Sequence, residues 1–474
     1  MPLRRKIAVI KVSLNELAQA IQGQLARAQS TGSTYIKGVS VDSRSTEKDN
    51  LFVALKGEHH DGHDFIKEAA ARGASCVMVK KEKLRHIDQG SKEKIALLGV
   101  DDTQKGLQDL ASWYRKKFKL RTVAVTGSNG KTTTKDMIAS VLSRKHKVIK
   151  SPKSYNTQIG VPLTIFELSE DKEVLVVELG ASMLGEIEKL TRLSEPDIGV
   201  ITNIAPAHLE FFGSFENIVR AKMELLENMP DDRTAVLNCD DESLLIRAKA
   251  EKKRVITFGI KRKADFRAYH VSFSDKGEVS FVVNEKFPLR LKLIGRHNVY
   301  GALAAFAVGS LCQIDPEKTV QALQSFTPPD LRMELEEFDG IKVLNDSYNA
   351  NPASMESALE TLKQIKTSGR RIAILGDMLE LGEESQTLHQ AVGEKVFDCG
   401  VDILVTVGKN SKWIARAARE RGLNSSSITS FEDKTEVSSF LRENLKEGDL
   451  VLVKGSRKMK LEDVVESLKK VYAD

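Results

Sequence analysis

The 474-residue sequence predicts an α/β protein of three units: a small N-terminal α/β unit, a central unit on a parallel sheet, and a C-terminal Rossmann-like unit. Three observations predict it. At roughly 150 residues per domain the length gives about three domains. From residue 120 onward, β-branched runs alternate with helical runs, the pattern of parallel sheets covered on both faces. Paired prolines in Thr327-Pro-Pro-Asp330 separate two such series, because proline resists helix and sheet alike. Composition agrees, with 41% apolar and 29% charged residues, enough for several cores and too apolar for a disordered chain.

The elements follow in order. Residues 1–115 carry strand-like runs at 38–41, 51–55, 76–79 and 95–100 and a helical pattern at 65–72. Residues 116–326 open on a β-branched run at 120–125, then a helix at 131–144. Alternation continues with a strand at 174–177, a helix at 184–193, a strand at 198–201, a helix at 215–229 and a strand at 235–237. From 266 to 293 the pattern turns short and strand-like, with a turn at Asp275-Lys-Gly277, and reads as an antiparallel appendage before a helix at 298–311. Residues 327–474 carry strands at 342–344, 372–375, 403–407 and 450–453 and helices at 352–365 and 385–397.

Composition also limits partners. The formal charge of +6 is mild at this length and fits a solvated surface. Aromatics at 6% do not favour stacking on single-stranded nucleic acid, so no nucleic-acid partner is expected. Cys76, Cys239, Cys312 and Cys399 are too dispersed for a CxxC metal site or a compact disulfide framework, and a reducing cytoplasm is the simplest setting. The N-terminal apolar run at 7–10 is too short for a signal-peptide core, and no stretch could span a bilayer, so no membrane insertion is expected.

The strongest chemical signal is Val123-Ala-Val-Thr-Gly-Ser-Asn-Gly-Lys-Thr-Thr-Thr134. A strand enters a glycine-bearing turn and Lys131-Thr132 opens a helix, so backbone N–H groups and the helix N-terminus can face a phosphate. Lys131, expected in solvent-facing phosphate space, can reach β- and γ-phosphates, and the Thr132 hydroxyl can ligate Mg²⁺. Val125 stands where the longer GxxxxGK spacing needs glycine. A plain Gly-rich strand-to-helix turn is the bland alternative.

Glu178 ends a strand on the carboxyl edge, where α/β sheets bind ligands, and can hold magnesium or simply pair with a lysine. His208 follows the strand at 198–201, and Lys222 lies in the next helix; alone, each is bland. His59-His-Asp-Gly-His63 lacks a recognised zinc spacing and reads as a polar loop. Asn345-Asp-Ser-Tyr-Asn-Ala-Asn-Pro352 reads as a recognition loop at a strand end, with an Asx-rich helix cap as the alternative. Gly376-Asp-Met-Leu-Glu-Leu-Gly382 and Lys454-Gly-Ser-Arg457 fall on the same edge.

Together these motifs resemble the Mur ligase family over essentially the whole chain. Thr126-Gly-Ser-Asn-Gly-Lys-Thr-Thr133 is the superfamily's short P-loop, shared with folylpolyglutamate synthetase. Asn345–Pro352 with Gly376–Glu383 resembles the branch that joins D-alanyl-D-alanine to UDP-N-acetylmuramoyl-tripeptide. The Asp-Asn-Pro-Arg tetrad of the diaminopimelate-adding branch is absent. The resemblance implies the three-domain Mur architecture, with a UDP-sugar-binding N-terminal domain, an ATP-binding P-loop domain and a C-terminal Rossmann-like domain. It implies ATP and Mg²⁺, an acyl phosphate, and a monomer in cytoplasmic peptidoglycan precursor synthesis.

Residue by residue, it implies ATP contacts from Gly127, Ser128, Asn129, Gly130, Lys131, Thr132, Thr133, Asn298 and Arg332. It implies substrate contacts from Ser43, Arg44, Lys56, Gly57, Asn156, Tyr348, Asn349 and Asn351. Thr132, Glu178, His208 and Lys222 match metal ligands, Lys222 as an N-carbamate, and Asp346 matches a catalytic group that meets ATP on closure. Gly301 departs from a common Asn and Met223 from a common Gly. Folylpolyglutamate synthesis and a catalytically silent P-loop protein are the competing readings.

Overall fold

Fully apolar strands need cover on both faces, and the strand Arg121–Thr126 buries every residue after the first. In the computed structural model, which describes residues 12–26, 35–90, 95–248, 251–328 and 330–472, that strand sits inside a nine-stranded sheet. The apolar run at 7–10 and Pro329 of the proline pair lie outside the described residues.

Around Arg121–Thr126, strands Val148–Lys150, Val174–Glu178, Ile198–Ile201, Thr234–Asn238 and Arg254–Gly259 are all parallel. The antiparallel strands Phe266–Phe273, Glu278–Val283 and Phe287–Ile294 are not an appendage. Phe258 pairs with Phe266, so they extend the same sheet, and their one-in-two burial suits a surface layer. Helix Lys131–Leu142 packs on helix His297–Leu311. Gly301 permits the approach: a Cβ there would stand 3.0 Å from Thr134 Oγ1 and 3.3 Å from Met137 Sδ. That contact accounts for glycine at this position, while Met223 is buried in the core.

The N-terminal residues form a five-stranded sheet, with Gly38–Ser40, Asn50–Val53, Cys76–Lys80 and Ala96–Val100 parallel and Gln24–Ala26 antiparallel at the edge. Helix Thr103–Arg115 joins this layer to the central one: Tyr114 Oη donates to Leu168 O at 2.9 Å, and Gln108 Nε2 to Gln158 Oε1 at 3.0 Å.

The C-terminal residues form a six-stranded sheet in the order Glu334–Phe338, Ile341–Asn345, Leu450–Lys454, Arg371–Gly376, Ile403–Val407, Ile428–Phe431. Only the first strand is antiparallel. Helices Pro352–Gln364 and Ser385–Asp398 match the expected helices to within a residue at each end. All four cysteines are free and buried, in the five-stranded layer (Cys76), around the nine-stranded sheet (Cys239, Cys312) and beside the six-stranded one (Cys399). Burial pushes the Cys76 thiol up to about 12 and Cys239 to about 11. Among the described residues, no helix is long and apolar enough to cross a membrane.

Candidate active site

A strand that ends in two left-handed glycines turns sharply enough to aim its amides at one point. Gly127 and Gly130 have φ of +136° and +76°, and a Cβ at Gly127 would fall 2.1 Å from Thr202 Oγ1. The neighbouring strand end holds this loop. Thr202 Oγ1 and Asn203 Nδ2 both donate to Asn129 O, at 2.6 and 3.1 Å, and Ser128 Oγ donates to Ala205 O at 2.8 Å. Helix Lys131–Leu142 leaves directly from Gly130. Fixed glycine backbone before a helix N-terminus is a ready anion cradle.

Lys131 is half-buried and lines the cavity with the rest of the loop. Its ammonium folds back, donating to Gly127 O at 2.9 Å and Ser128 O at 3.0 Å. A cation with three donors takes the nearest carbonyls. Burial lowers its pKa, opposed by Glu178 and assisted by Arg332.

Glu178 ends strand Val174–Glu178 beside Val125. It is 1% exposed. Its Oε1 accepts from Asn156 Nδ2 at 2.7 Å, while Oε2 is buried with no hydrogen-bond partner. Lys135 Nζ stands 4.0 Å from Oε2. Lys135 is wholly buried and donates to Ser151 O and Lys153 O at 2.7 and 2.9 Å, which pins the strand-to-loop segment that carries Asn156. A buried carboxylate oxygen without a donor suits a hard cation. The Thr132 hydroxyl, His208 and Lys222 line the same cavity.

Lys222, on helix Phe215–Glu227, is 3% exposed. Burial first, then the Lys131 charge, lower its pKa to about 7, against Glu224 and Glu186. His208 caps the short helix Leu209–Phe212 with φ +56°, and Glu380 Oε2 lies 2.5 Å from its Nδ1. Burial lowers the His208 pKa, and Glu380 opposes that shift.

The six-stranded sheet closes the other side. Asn351 caps helix Pro352–Gln364 by accepting from Ser354 N at 2.9 Å and exchanges amide bonds with Asn129 at 2.8 and 3.3 Å. Tyr348 Oη meets Ser154 Oγ at 2.5 Å, and the Arg332 guanidinium lies 4.0 Å from the Tyr348 ring centroid. Arg332 Nη2 also donates to Thr132 Oγ1 at 3.3 Å. Asp346 is clasped by the buried Lys454, whose ammonium also donates to Asn349 O at 2.9 Å. Half-buried His297 nearby has its pKa lowered to about 4, by desolvation first.

Thus one cavity of about 990 Å³ collects Gly127–Thr133, Asn156, Glu178, His208, Lys222, Asn298, Arg332, Asp346, Tyr348, Asn349 and Asn351. Asn298 Nδ2 donates to Ile294 O at 2.8 Å, which fixes the amide at the cavity wall.

Ser43, Arg44, Lys56 and Gly57 do not line it. Ser43 Oγ donates to Glu68 Oε2 at 2.8 Å and Arg44 pairs with Asp42, while Gly57 N bonds His60 O at 2.9 Å. In the histidine loop, His63 accepts from Lys80 N at Nε2 and bonds Asp61 at Nδ1, so both ring nitrogens are engaged. Sequence reasoning did not single out Lys135 or Glu380. Each acts through a partner remote in sequence or buried, and the only linear signal for Glu380 is its place in the Gly376–Gly382 loop.

The chain matches three Mur ligase descriptions in series: the Mur ligase family catalytic domain over residues 35–115, the Mur ligase middle domain over 125–309 and the Mur ligase glutamate ligase domain over 331–457. It is 36% identical to the UDP-N-acetylmuramoyl-tripeptide–D-alanyl-D-alanine ligase of Bacillus subtilis, over 97% of this chain and 99% of that one. The enzyme of the same name from Escherichia coli is 34% identical over the same shares. Among solved structures, a MurF from Acinetobacter baumannii superimposes with a TM-score of 0.88 at 28% identity, covering 98% of this chain and 100% of that one. The MurF ligase of Thermotoga maritima in complex with ADP gives 0.80 at 29% identity, over 92% and 97%. With its three layers, its short P-loop and these matches from one end to the other, the chain belongs to the Mur ligase family.

Proposed function

We propose that the protein is an ATP-dependent, ADP-forming ligase that joins D-alanyl-D-alanine to UDP-N-acetylmuramoyl-tripeptide through an acyl phosphate, in cytoplasmic peptidoglycan precursor synthesis. The observation that carries it is the single cavity in which the P-loop of one sheet faces the Asn345–Asn351 loop of another. A ligase that works through an acyl phosphate needs its phosphoryl donor and its acceptor held within reach.

In this reading, residues 1–115, 116–326 and 327–474 are the UDP-sugar, ATP and C-terminal domains. Gly127–Thr133 cradle the phosphates, with Lys131 turning from its loop carbonyls to the γ-phosphate, and Arg332 and Asn298 complete the ATP contacts. Ser43, Arg44, Lys56 and Gly57 hold the uridine nucleotide sugar, while Asn156, Tyr348, Asn349 and Asn351 hold the acyl and peptide ends. Glu178, Thr132, His208 and Lys222 would hold Mg²⁺, which when bound neutralises phosphate charge.

The tripeptide carboxylate attacks the γ-phosphorus and ADP leaves. The D-alanyl-D-alanine amine then attacks the acyl-phosphate carbonyl, loses a proton, and phosphate departs. The protein's part is alignment, charge and exclusion of water. Lys222 acts as an N-carbamate, since an amine with a pKa near neutrality is free to add CO₂, and the product is an oxygen donor rather than a buried cation.

The test is ADP release with UDP-tripeptide, with and without D-alanyl-D-alanine, for tripeptides ending in lysine or diaminopimelate. Dipeptide-dependent release supports the reading. Turnover with a folate and glutamate instead, or none with any acceptor, overturns it.

A further inference from the structure

His208 and Glu380 belong to different sheets, yet their backbones are built to meet. Both are non-glycine residues in the left-handed region, with φ of +56° and +64°. Such conformations persist only where the surroundings fix them. Glu210 N donates to Glu380 O at 3.1 Å, and at Gly382 a Cβ would stand 3.3 Å from Glu210 Cα. From behind, Leu379 N bonds Ser456 Oγ at 2.8 Å and Met378 N bonds the buried His389 Nε2 at 3.0 Å. The Glu380 carboxylate therefore reaches His208 Nδ1 from a loop that is itself held.

We propose that Glu380 is a positioning residue for the divalent-cation site, fixing His208 with its proton on Nδ1 and its lone pair on Nε2. The proposal rests on His208 as a cation ligand, as read above. A carboxylate only accepts, so Nδ1 must carry the hydrogen, and Nε2 is left as the basic nitrogen. Metal-binding histidines are oriented in this way by a partner on the second nitrogen. Here the partner arrives from the C-terminal sheet. Cation affinity and docking of that sheet therefore share one coupling energy, and each strengthens the other by the same factor.

The experiment titrates Mn²⁺ into the ADP-bound full chain, reading free Mn²⁺ by electron paramagnetic resonance, for wild type, Glu380→Ala, Glu380→Gln and His208→Ala. Nitrogen-15 NMR of labelled histidine reads the His208 tautomer before Mn²⁺ is added. Glu380→Ala should weaken Mn²⁺ binding about 10- to 100-fold, the usual range for such partners, and mix the tautomers. Glu380→Gln, whose amide oxygen still accepts, should recover part of both. Normal Mn²⁺ affinity in Glu380→Ala with weakened affinity in His208→Ala overturns the proposal alone. Normal affinity in His208→Ala overturns the ligand reading and the proposal together.

Discussion

At Lys131 one side chain does two jobs that a substitution can separate. The ammonium closes the loop on its own carbonyls, and in the ligase reading it meets the γ-phosphate. Lys131→Ala should lower the ADP-release rate by about 10²–10³-fold, the cost of losing one preorganised donor to developing charge. The melting temperature should fall only slightly, since no core residue moves.

Lys222 carries a sign that can be checked. Its folded pKa is about 7, whereas an unfolded lysine holds its proton to about 10.4. Between these values the unfolded chain binds more protons, so stability should rise with pH through that window, and the burial penalty is greatest below it. Denaturant unfolding in CO₂-free buffer, where Lys222 is a free amine, should show this slope in wild type and not in Lys222→Met when measured at both ends of the window. Activity should fall when CO₂ is stripped at mildly acidic pH and return with bicarbonate. Lys222→Ala should be nearly inactive and partly restored by a small added carboxylate. Full activity of Lys222→Arg without CO₂ would remove the carbamate, since arginine stays cationic.

At the scale of elements, the helix Pro352–Gln364 shows how one residue serves both fold and site. Asn351 caps it and also pairs with Asn129 of the P-loop. Asn351→Ala should cost about 1 kcal/mol of unfolding free energy through the lost cap. Asn351→Asp keeps a cap acceptor but cannot donate to Asn129 Oδ1, so it should hold stability and lose turnover. Equal turnover in wild type and Asn351→Asp would show that the amide pair is only structural.

Elements with strong periodicity were legible in the sequence. Arg121–Thr126 is rich in β-branched residues and buried from Thr122 onward, and proline at the first position announces Pro352–Gln364. The edge strand Glu334–Phe338 was not, because Glu-Leu-Glu-Glu-Phe offers no apolar run and its pairing comes from Ile341–Asn345. Of the site, Gly127–Thr133 could be read because chemistry and local backbone coincide there. Lys135, Glu380 and the Lys454 clasp on Asp346 could not. The first is a helix lysine like many others until Ser151 and Lys153 surround it, and the others find their partners 172 and 108 residues away.

For the whole molecule, the polar contacts between the central and C-terminal units include Asn129–Asn351, Ser154–Tyr348, Thr132–Arg332, His208–Glu380, His297–Ser357 and Asp275–Lys366. Polar contacts of this kind open and close at small cost, as a domain that must admit substrates requires. Tyr348→Phe keeps the ring beneath Arg332 and removes only the hydroxyl on Ser154. It should therefore lower kcat several-fold while ATP binding, measured separately by calorimetry, stays within about twofold. A loss confined to ATP affinity would place Tyr348 in nucleotide binding instead.

The buried thiols give each layer its own clock. Alkylating reagents attack thiolates, and burial withholds both access and ionisation from Cys76, Cys239, Cys312 and Cys399. Each can be modified only when its own surroundings part. The order in which the four are labelled in dilute denaturant is thus a native record of which layer comes undone first, written without introducing a single probe.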